Sequence, residues 1–379
     1  MSVEFLLVIA SGFFLAFANG ANDNFKGAAT LVGSGTLSYK KGLTWATVTT
    51  FLGSITAFFL AQKLMGRFSG KGIVPDDIAT LTSYSSSVAM ASAATVFLAA
   101  RLGFPISTTH ALTGALIGAG WLASPEGVDL HNIFSYFFLP LFLSPFLAVV
   151  LTAAIYPLFS QVRKWTGINR QSCLCIGREI IAPAPVGSTH GFAPAQITFL
   201  NSYPSLTIDT RVSCEKRYMG SLFGVQAKTI LDSLHFLSSG LVSFARGLND
   251  TPKIAALLLC GGTLGSQNAV LVTAAAIGLG GWLMSRRVAK TMSEDITSMN
   301  DGQGFSANFI TSATVLMASS LSLPVSTTHV SCGALFGLGA VTRQAHWGTI
   351  LKILAAWVVT LPLAGALGMG IFYLTRSFQ

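Results

Sequence analysis

One ten-residue stretch constrains this chain more than any other. Phe17 to Lys26 reads Phe-Ala-Asn-Gly-Ala-Asn-Asp-Asn-Phe-Lys and lies between the apolar runs Val3–Leu15 and Ala28–Val32. Asn22, Asp23, Asn24 and Lys26 therefore fall in the middle of a segment that should cross a bilayer. Ionisable groups at membrane depth are costly and persist where they line a cavity, pair with one another, or meet a substrate. The stretch returns at Phe244–Lys253 as Phe-Ala-Arg-Gly-Leu-Asn-Asp-Thr-Pro-Lys. Phe17, Ala18, Gly20, Asn22, Asp23 and Lys26 match Phe244, Ala245, Gly247, Asn249, Asp250 and Lys253 at a constant offset. Two copies of one such element point to a site shared by two halves.

Composition sets the class. Hydrophobic residues make up 51% of the chain and charged ones 10%, against about 25% charged in a soluble domain. Several apolar stretches approach the ~20 residues that span a hydrocarbon core. The expectation is an all-α multi-pass membrane protein. Met1-Ser2-Val3-Glu4 offers no cationic region, which argues against a cleaved signal peptide. The net charge of +9 could suggest nucleic acid, but the basic residues lie in loops between spans, as an orientation signal does. Cys173, Cys175, Cys214, Cys260 and Cys332 do not read as a disulfide framework. Cys173-Leu-Cys175 with Cys214 and His190 suggests a metal site, but the spacing fits no strong pattern, and the cysteines read instead as thiols in a reducing compartment.

The first apolar region runs from Val3 to about Thr36, too long for one straight crossing, so a break at Gly20–Asn22 is expected. A span over Leu43–Met65 follows. Ser83–Ala123 then lacks a charge-marked loop and reads as two arms around Gly103-Phe-Pro-Ile-Ser-Thr-Thr-His110. Pro105 cannot continue a helix, and Ser107, Thr108 and Thr109 can cap the next one. The preferred reading is a re-entrant hairpin whose tip stops inside the membrane; the alternative is two ordinary spans with a tight external turn. Gly114 and Gly118 offer a close-packing face on the second arm. A long span covers Ile133–Phe159, with bends expected at Pro140 and Pro145.

Residues 161–218 are rich in Pro, Ser, Thr and Arg and form a linker or small module between a first repeat, 1–160, and a second, 219–379. The second repeat has a broken span over Gly224–Cys260, a span over Asn268–Ser285, a hairpin over Ala307–Ala340 and a last span over Ile350–Leu374. Its hairpin turn matches the first at Pro324, Ser326, Thr327, Thr328 and His329, and Gly333 and Gly337 recur for Gly114 and Gly118. Three crossings plus a returning hairpin per repeat invert the second copy relative to the first. With both termini outside, Lys40, Lys41, Arg163, Lys164, Arg286, Arg287 and Lys290 fall in the cytoplasm with the linker, as the positive-inside rule asks.

Inverted repeats with broken helices meeting near the midplane are the architecture of secondary transporters. Each hairpin tip supplies three hydroxyls and free backbone N–H groups at a helix N-terminus, which suits a tetrahedral oxyanion. Lys26 and Lys253 add positive charge, while Asp23 and Asp250 can hold a cation or accept a proton.

Gly20-Ala-Asn-Asp23 and Gly247-Leu-Asn-Asp250, with Pro105-Ile-Ser-Thr-Thr-His110 and Pro324-Val-Ser-Thr-Thr-His329, resemble the paired signatures of the inorganic phosphate transporter (PiT) family. The resemblance covers both membrane halves. It implies symport of inorganic phosphate with Na+ or H+ through the cell (inner) membrane, no enzymatic activity and no cofactor. By position it makes Ser107, Thr108, Thr109, Ser326, Thr327, Thr328, Asn22 and Asn249 substrate contacts, joined by Lys26 and Lys253. Asp23 and Asp250 become the coupling-ion or proton sites, and metal ligands if Na+ is the coupled ion. A homodimer is implied by the resemblance alone. The sequence also departs from the family pattern. Family motifs commonly continue Asn-Asp-Val-Ala-Asn, and Lys26 and Lys253 stand where that second Asn is expected. Many members carry a Glu near Thr50 and a polar amide near Val96, both absent here. Each Lys is therefore expected to stand in for a bound cation, with transport driven by H+ or by fewer ions.

Bland readings compete at single positions. His110 and His329 relay protons or tie a tip to a neighbouring helix, and Arg246 meets the anion or pairs with an Asp. Asp232 and His235 suggest an entrance pair, and Phe13 and Phe14 face lipid or pack. Another tetrahedral oxyanion such as sulfate is the alternative substrate. Fully ionised sulfate has no proton to offer a carboxylate, so Asp23 and Asp250 favour a protonated anion. A channel would show a continuous polar lining, and an enzyme would need a nucleophile–base spacing that is not found.

Overall fold

Helices account for nearly all the regular structure. A computed structural model describes residues 3–177, 180–181, 198–199, 205–218, 222–260 and 264–376. In chain order they form α1 (Val3–Asp23), α2 (Ala29–Gly33), α3 (Tyr39–Leu60), α4 (Gln62–Arg67), α5 (Asp76–Ala79), α6 (Thr82–Leu102), α7 (Thr108–Ala123), α8 (Leu130–Ile133) and α9 (Leu139–Thr166). Strands β1 (Ser172–Gly177), β2 (Ile180–Ile181), β3 (Thr198–Phe199) and β4 (Ser205–Thr210) follow, then α10 (Arg211–Arg217) and β5 (Leu222–Gln226). The chain continues with α11 (Ala227–Leu258), α12 (Ser266–Met284), α13 (Arg286–Lys290), α14 (Asp301–Ser320), α15 (Thr327–Thr342) and α16 (Trp347–Thr375). Among the described residues, six helical segments are long and apolar enough to cross a membrane: Glu4–Gly33, Tyr39–Leu60, Thr82–Leu102, Leu130–Thr166, Ser266–Met284 and Trp347–Thr375. The protein is a multi-pass membrane protein, and its spanning part is all-α.

The chain divides into two compact units, one of residues 1–157 with 235–379 and one of residues 158–234. In the larger unit, both expected breaks come out differently from the sequence reading. The first lies after Asp23, where α1 gives way at Asn24–Phe25 to a single tight turn, Lys26–Ala28, and not at Gly20–Asn22. Gly20 has another use: a Cβ there would collide with the Ile277 carbonyl of α12, so its bare Cα lets α1 and α12 touch. The second break is absent. α11 runs unbroken for 32 residues through Asn249 and Asp250, with Pro252 inside it. A proline in a spanning helix is tolerated because packed neighbours re-satisfy the freed backbone groups.

The two hairpins follow their local rules. α6 ends at Gly103, whose φ of +82° is left-handed, and Ser107 caps α7 by accepting from His110 N at 3.0 Å. α14 opens on a capping box of Asn300 and Gln303. Beyond it Ser322 takes the left-handed φ of +55° without being glycine, and Ser326 caps α15 by accepting from His329 N at 3.1 Å. Each second arm packs by its glycines on the long helix of the other half. A Cβ at Gly114 or Gly118 would strike the α16 carbonyls of Leu361 and Gly365, and one at Gly333 or Gly337 the α9 carbonyls of Pro145 and Val149. Ser87 on α6 adds a 2.8 Å hydrogen bond to Thr375 on α16.

The smaller unit carries an antiparallel sheet of order β4-β1-β5, with Ser172 opposite Thr210 and Cys173 opposite Gln226. α10 covers one face, burying Cys214 and Tyr218 against Cys173 and Cys175. Here the thiol reading is corrected. Cys175 and Cys214 form a disulfide across 39 positions, while Cys173, Cys260 and Cys332 are buried and lie outside that bond. The packing of α10 on the sheet brings together two sulfurs that lie 39 positions apart in the sequence. His190 lies outside the described residues.

Candidate substrate site at the paired hairpin tips

The site is built by four backbone elements: the ends of α1 and α11 and the first turns of α7 and α15. Asn22 and Asn249 fix the tips. Asn22 Nδ2 donates to Phe104 O at 2.9 Å and its Oδ1 accepts from Ile106 N at 3.2 Å. Asn249 Nδ2 donates to Val325 O at 3.1 Å. Each tip then meets the other: Thr328 Oγ1 donates to Ile106 O at 2.8 Å, and Thr109 Oγ1 to Val325 O at 3.4 Å. His110 and His329, one position further along, lie with ring centroids 4.5 Å apart. His329 stacks on Trp357 of α16, whose Nε1 donates to Pro105 O at 2.9 Å.

The carboxylates sit beneath the tips. Asp23 Oδ2 accepts from Asn19 Nδ2 at 3.1 Å and from Thr108 Oγ1 at 3.3 Å. Asp250 Oδ2 accepts from Thr327 Oγ1 at 3.3 Å, and its Oδ1 from Asn249 Nδ2 at 3.0 Å. Lys26 pairs with Asp23 and reaches across to Thr328 Oγ1. Lys253 lies 3.5 Å from Asp250 Oδ1 and donates to Thr109 Oγ1 and Val325 O, each at 2.8 Å. All of these side chains are at most 5% exposed. Every residue singled out as a substrate or ion contact in the sequence thus gathers in one place. Ser107 and Ser326 are spent partly as caps, their oxygens accepting backbone N–H groups while their hydroxyl protons stay free to donate.

Arg246 joins this centre through a cage the sequence reading missed. Its Nη2 donates to Asn19 Oδ1 at 2.7 Å, its Nη1 to Asn24 Oδ1 at 3.0 Å and to Thr50 Oγ1 at 3.3 Å, and its Nε lies 3.6 Å from Asp250 Oδ2. Asn19 and Asn24 were within reach of the rule that marked Asn22, since they are amides in the same buried segment. Nothing in the sequence marked Trp357. Asn249 Oδ1 is buried without a hydrogen-bond partner. The remaining candidates go elsewhere: His235 Nε2 is 3.0 Å from Thr30 Oγ1, and Asp232 pairs with Lys228 at 2.6 Å. Phe14 packs on Phe97 with centroids 5.5 Å apart, and Phe13 is exposed. Among the described residues, no group of three or more His, Cys, Asp or Glu is arranged to hold a metal ion.

Fold and site together define a polytopic helical membrane protein in which two hairpin tips close on a buried, charge-lined centre. Comparison with known proteins gives the family. The profile of the phosphate transporter family matches residues 19–368, and the chain belongs to that family. It is 28% identical to a protein named as a phosphate permease in Haemophilus influenzae, over 97% of this chain and 95% of the relative. It is 29% identical to a Rhizobium meliloti protein named as a low-affinity inorganic phosphate transporter, over 94% of this chain and 92% of the relative. A solved structure titled the sodium-dependent phosphate transporter shares the fold at a TM-score of 0.75, with 21% identity and full coverage of both chains. The members of this family and the named relatives are transporters or permeases, not enzymes.

Proposed function

We propose that the chain takes up inorganic phosphate across the cell membrane by symport with H+ or Na+, through alternating access between two inverted repeats, 1–160 and 219–379. The observation that carries the reading is the reciprocal contact of the tips, Thr328 on Ile106 O and Thr109 on Val325 O, directly above two Asp–Lys pairs. Hydroxyl donors, helix N-termini and ammonium groups converge there from both halves, the donor set a tetrahedral oxyanion needs. Ser107, Thr108, Thr109, Ser326, Thr327, Thr328, Asn22 and Asn249 contact phosphate; Asp23 and Asp250 take the proton or the coupling ion. The two-arm segments support a re-entrant reading, since α7 and α15 have 16 residues each, about 24 Å of helix against a core of about 30 Å. Both termini then lie outside and the 161–218 segment in the cytoplasm.

Radiolabelled phosphate uptake into proteoliposomes under imposed Na+ or proton gradients tests the reading. Wild-type protein accumulates phosphate, and Asp23→Asn and Asp250→Asn lose that accumulation; uptake indifferent to both substitutions rejects it. Sulfate remains the second reading because the same donors suit it. Fully ionised sulfate has no proton to offer Asp23 or Asp250, so arsenate should compete and sulfate should not.

A further inference from the structure

We propose that Lys26, Lys253 and Arg246 are resident cations that fill the positions of mobile ones, so that phosphate transport by this chain needs no Na+. The inference rests on the phosphate reading above and narrows its coupling ion. Its first ground is where the ammonium groups lie. Each lies three residues after an aspartate, pairs with that aspartate, and reaches a threonine on the tip of the opposite hairpin. A cation binding between a carboxylate and the two tips would have to sit where Nζ already is.

The second ground is the state of the oxygens. A hard cation needs several oxygens free to point at it. Ile106 O accepts from Thr328, and Val325 O accepts from Asn249, Thr109 and Lys253. Asn19 Oδ1 from α1, Asn24 Oδ1 from just beyond its end and Thr50 Oγ1 from α3 converge with Asp250 Oδ2 behind them, an oxygen cage with a guanidinium inside. The third ground is charge. Three basic side chains stand among two carboxylates, all buried. An added Na+ would enter a centre where basic side chains already outnumber carboxylates, whereas an anion would enter one built to receive it.

The test uses purified full-length protein in liposomes, with equal pH on both sides and the voltage held by K+ and valinomycin. Radiolabelled phosphate uptake is compared with Na+ present and with choline in its place. Equal initial rates are expected; a rate that falls to the empty-liposome background in choline overturns the inference. Lys26→Asn with Lys253→Asn opens both positions and should make uptake dependent on Na+, while Lys26→Arg with Lys253→Arg should stay independent of it. A double Asn variant as active in choline as the wild type overturns the inference. Because unpairing a buried aspartate can compromise folding, phosphate-induced thermal stabilisation of the wild type is measured alongside. Stabilisation of equal size in Na+ and in choline is expected, and stabilisation seen only with Na+ overturns the inference. Absence of both uptake and binding with either cation refutes the phosphate reading itself, a result distinct from Na+ dependence.

Discussion

Trp357 on the last helix donates its indole N–H to the carbonyl of Pro105 at 2.9 Å, and Pro105 belongs to the tip of the first hairpin. The carbonyl before Ile106 has no freedom to turn while that bond holds. Trp357→Phe keeps the ring against His329 and removes only the donor. We expect a loss of about 1 kcal/mol in stability, read as a lower unfolding temperature in detergent, with slower phosphate uptake. Trp357→Ala should cost more, because the stack on His329 at 3.9 Å goes as well.

Asn22 acts on the same tip from the other side, gripping Phe104 O and Ile106 N at once. Asn22→Ala leaves the half-buried Phe104 O and the buried Ile106 N unpaired, at about 1–3 kcal/mol for a buried group so stranded. If that cost falls on the tip, phosphate affinity drops by about tenfold or more. Titration of phosphate stabilisation on the purified variant measures it, and size-exclusion behaviour confirms that the chain is folded.

Glycine substitutions should separate packing positions from bystanders. A Cβ at Gly337 would lie 2.5 Å from Val149 O, so Gly337→Ala must push α15 off α9. Overpacking of this kind typically costs about 1–3 kcal/mol. Gly370 on α16 has nothing within 4 Å of where its Cβ would stand. Gly370→Ala should be neutral or raise stability by up to about 1 kcal/mol through helix propensity. Paired thermal unfolding curves decide between the two.

The Cys175–Cys214 bond closes a loop spanning 39 positions, and the chain-entropy estimate for such a closure is about 4 kcal/mol. Cys175→Ser should therefore loosen the β4-β1-β5 sheet, visible as faster amide exchange over Ser172–Gly177 in oxidised protein. Mass spectrometry of protein alkylated without reduction should recover the peptide linked through Cys175 and Cys214, and label at either cysteine would contradict the bond.

How much of this was legible in the sequence depends on the range of the interaction. The caps at Ser107 and Ser326 and the turns around Pro105 and Pro324 follow from residues within a few positions of each other, and the hairpins came out where those rules put them. The gathering of Asn22, Asp23, Lys26 and their counterparts was readable because buried polar groups have few alternatives to meeting one another. The break near Gly20 was misplaced because a bare Cα serves equally as a hinge or as a helix contact, and only the α12 carbonyl at Ile277 distinguishes them. The broken span expected over Gly224–Cys260 failed because neighbours determine whether a helix survives a proline such as Pro252. The cage around Arg246 was hidden because Thr50 lies 196 positions away. Gly114 and Gly337 announced tight packing without naming the partner.

That partner has a bearing on how the molecule is made. α7 rests on α16 and α15 on α9, so the arm synthesised first finds its support only when the last helix emerges from the ribosome. Until then Gly114 and Gly118 have no backbone to nestle against, and the nascent amino-terminal half waits in the bilayer, incomplete. Severed at the central segment, neither fragment would assemble by itself, whereas both expressed together could still find each other.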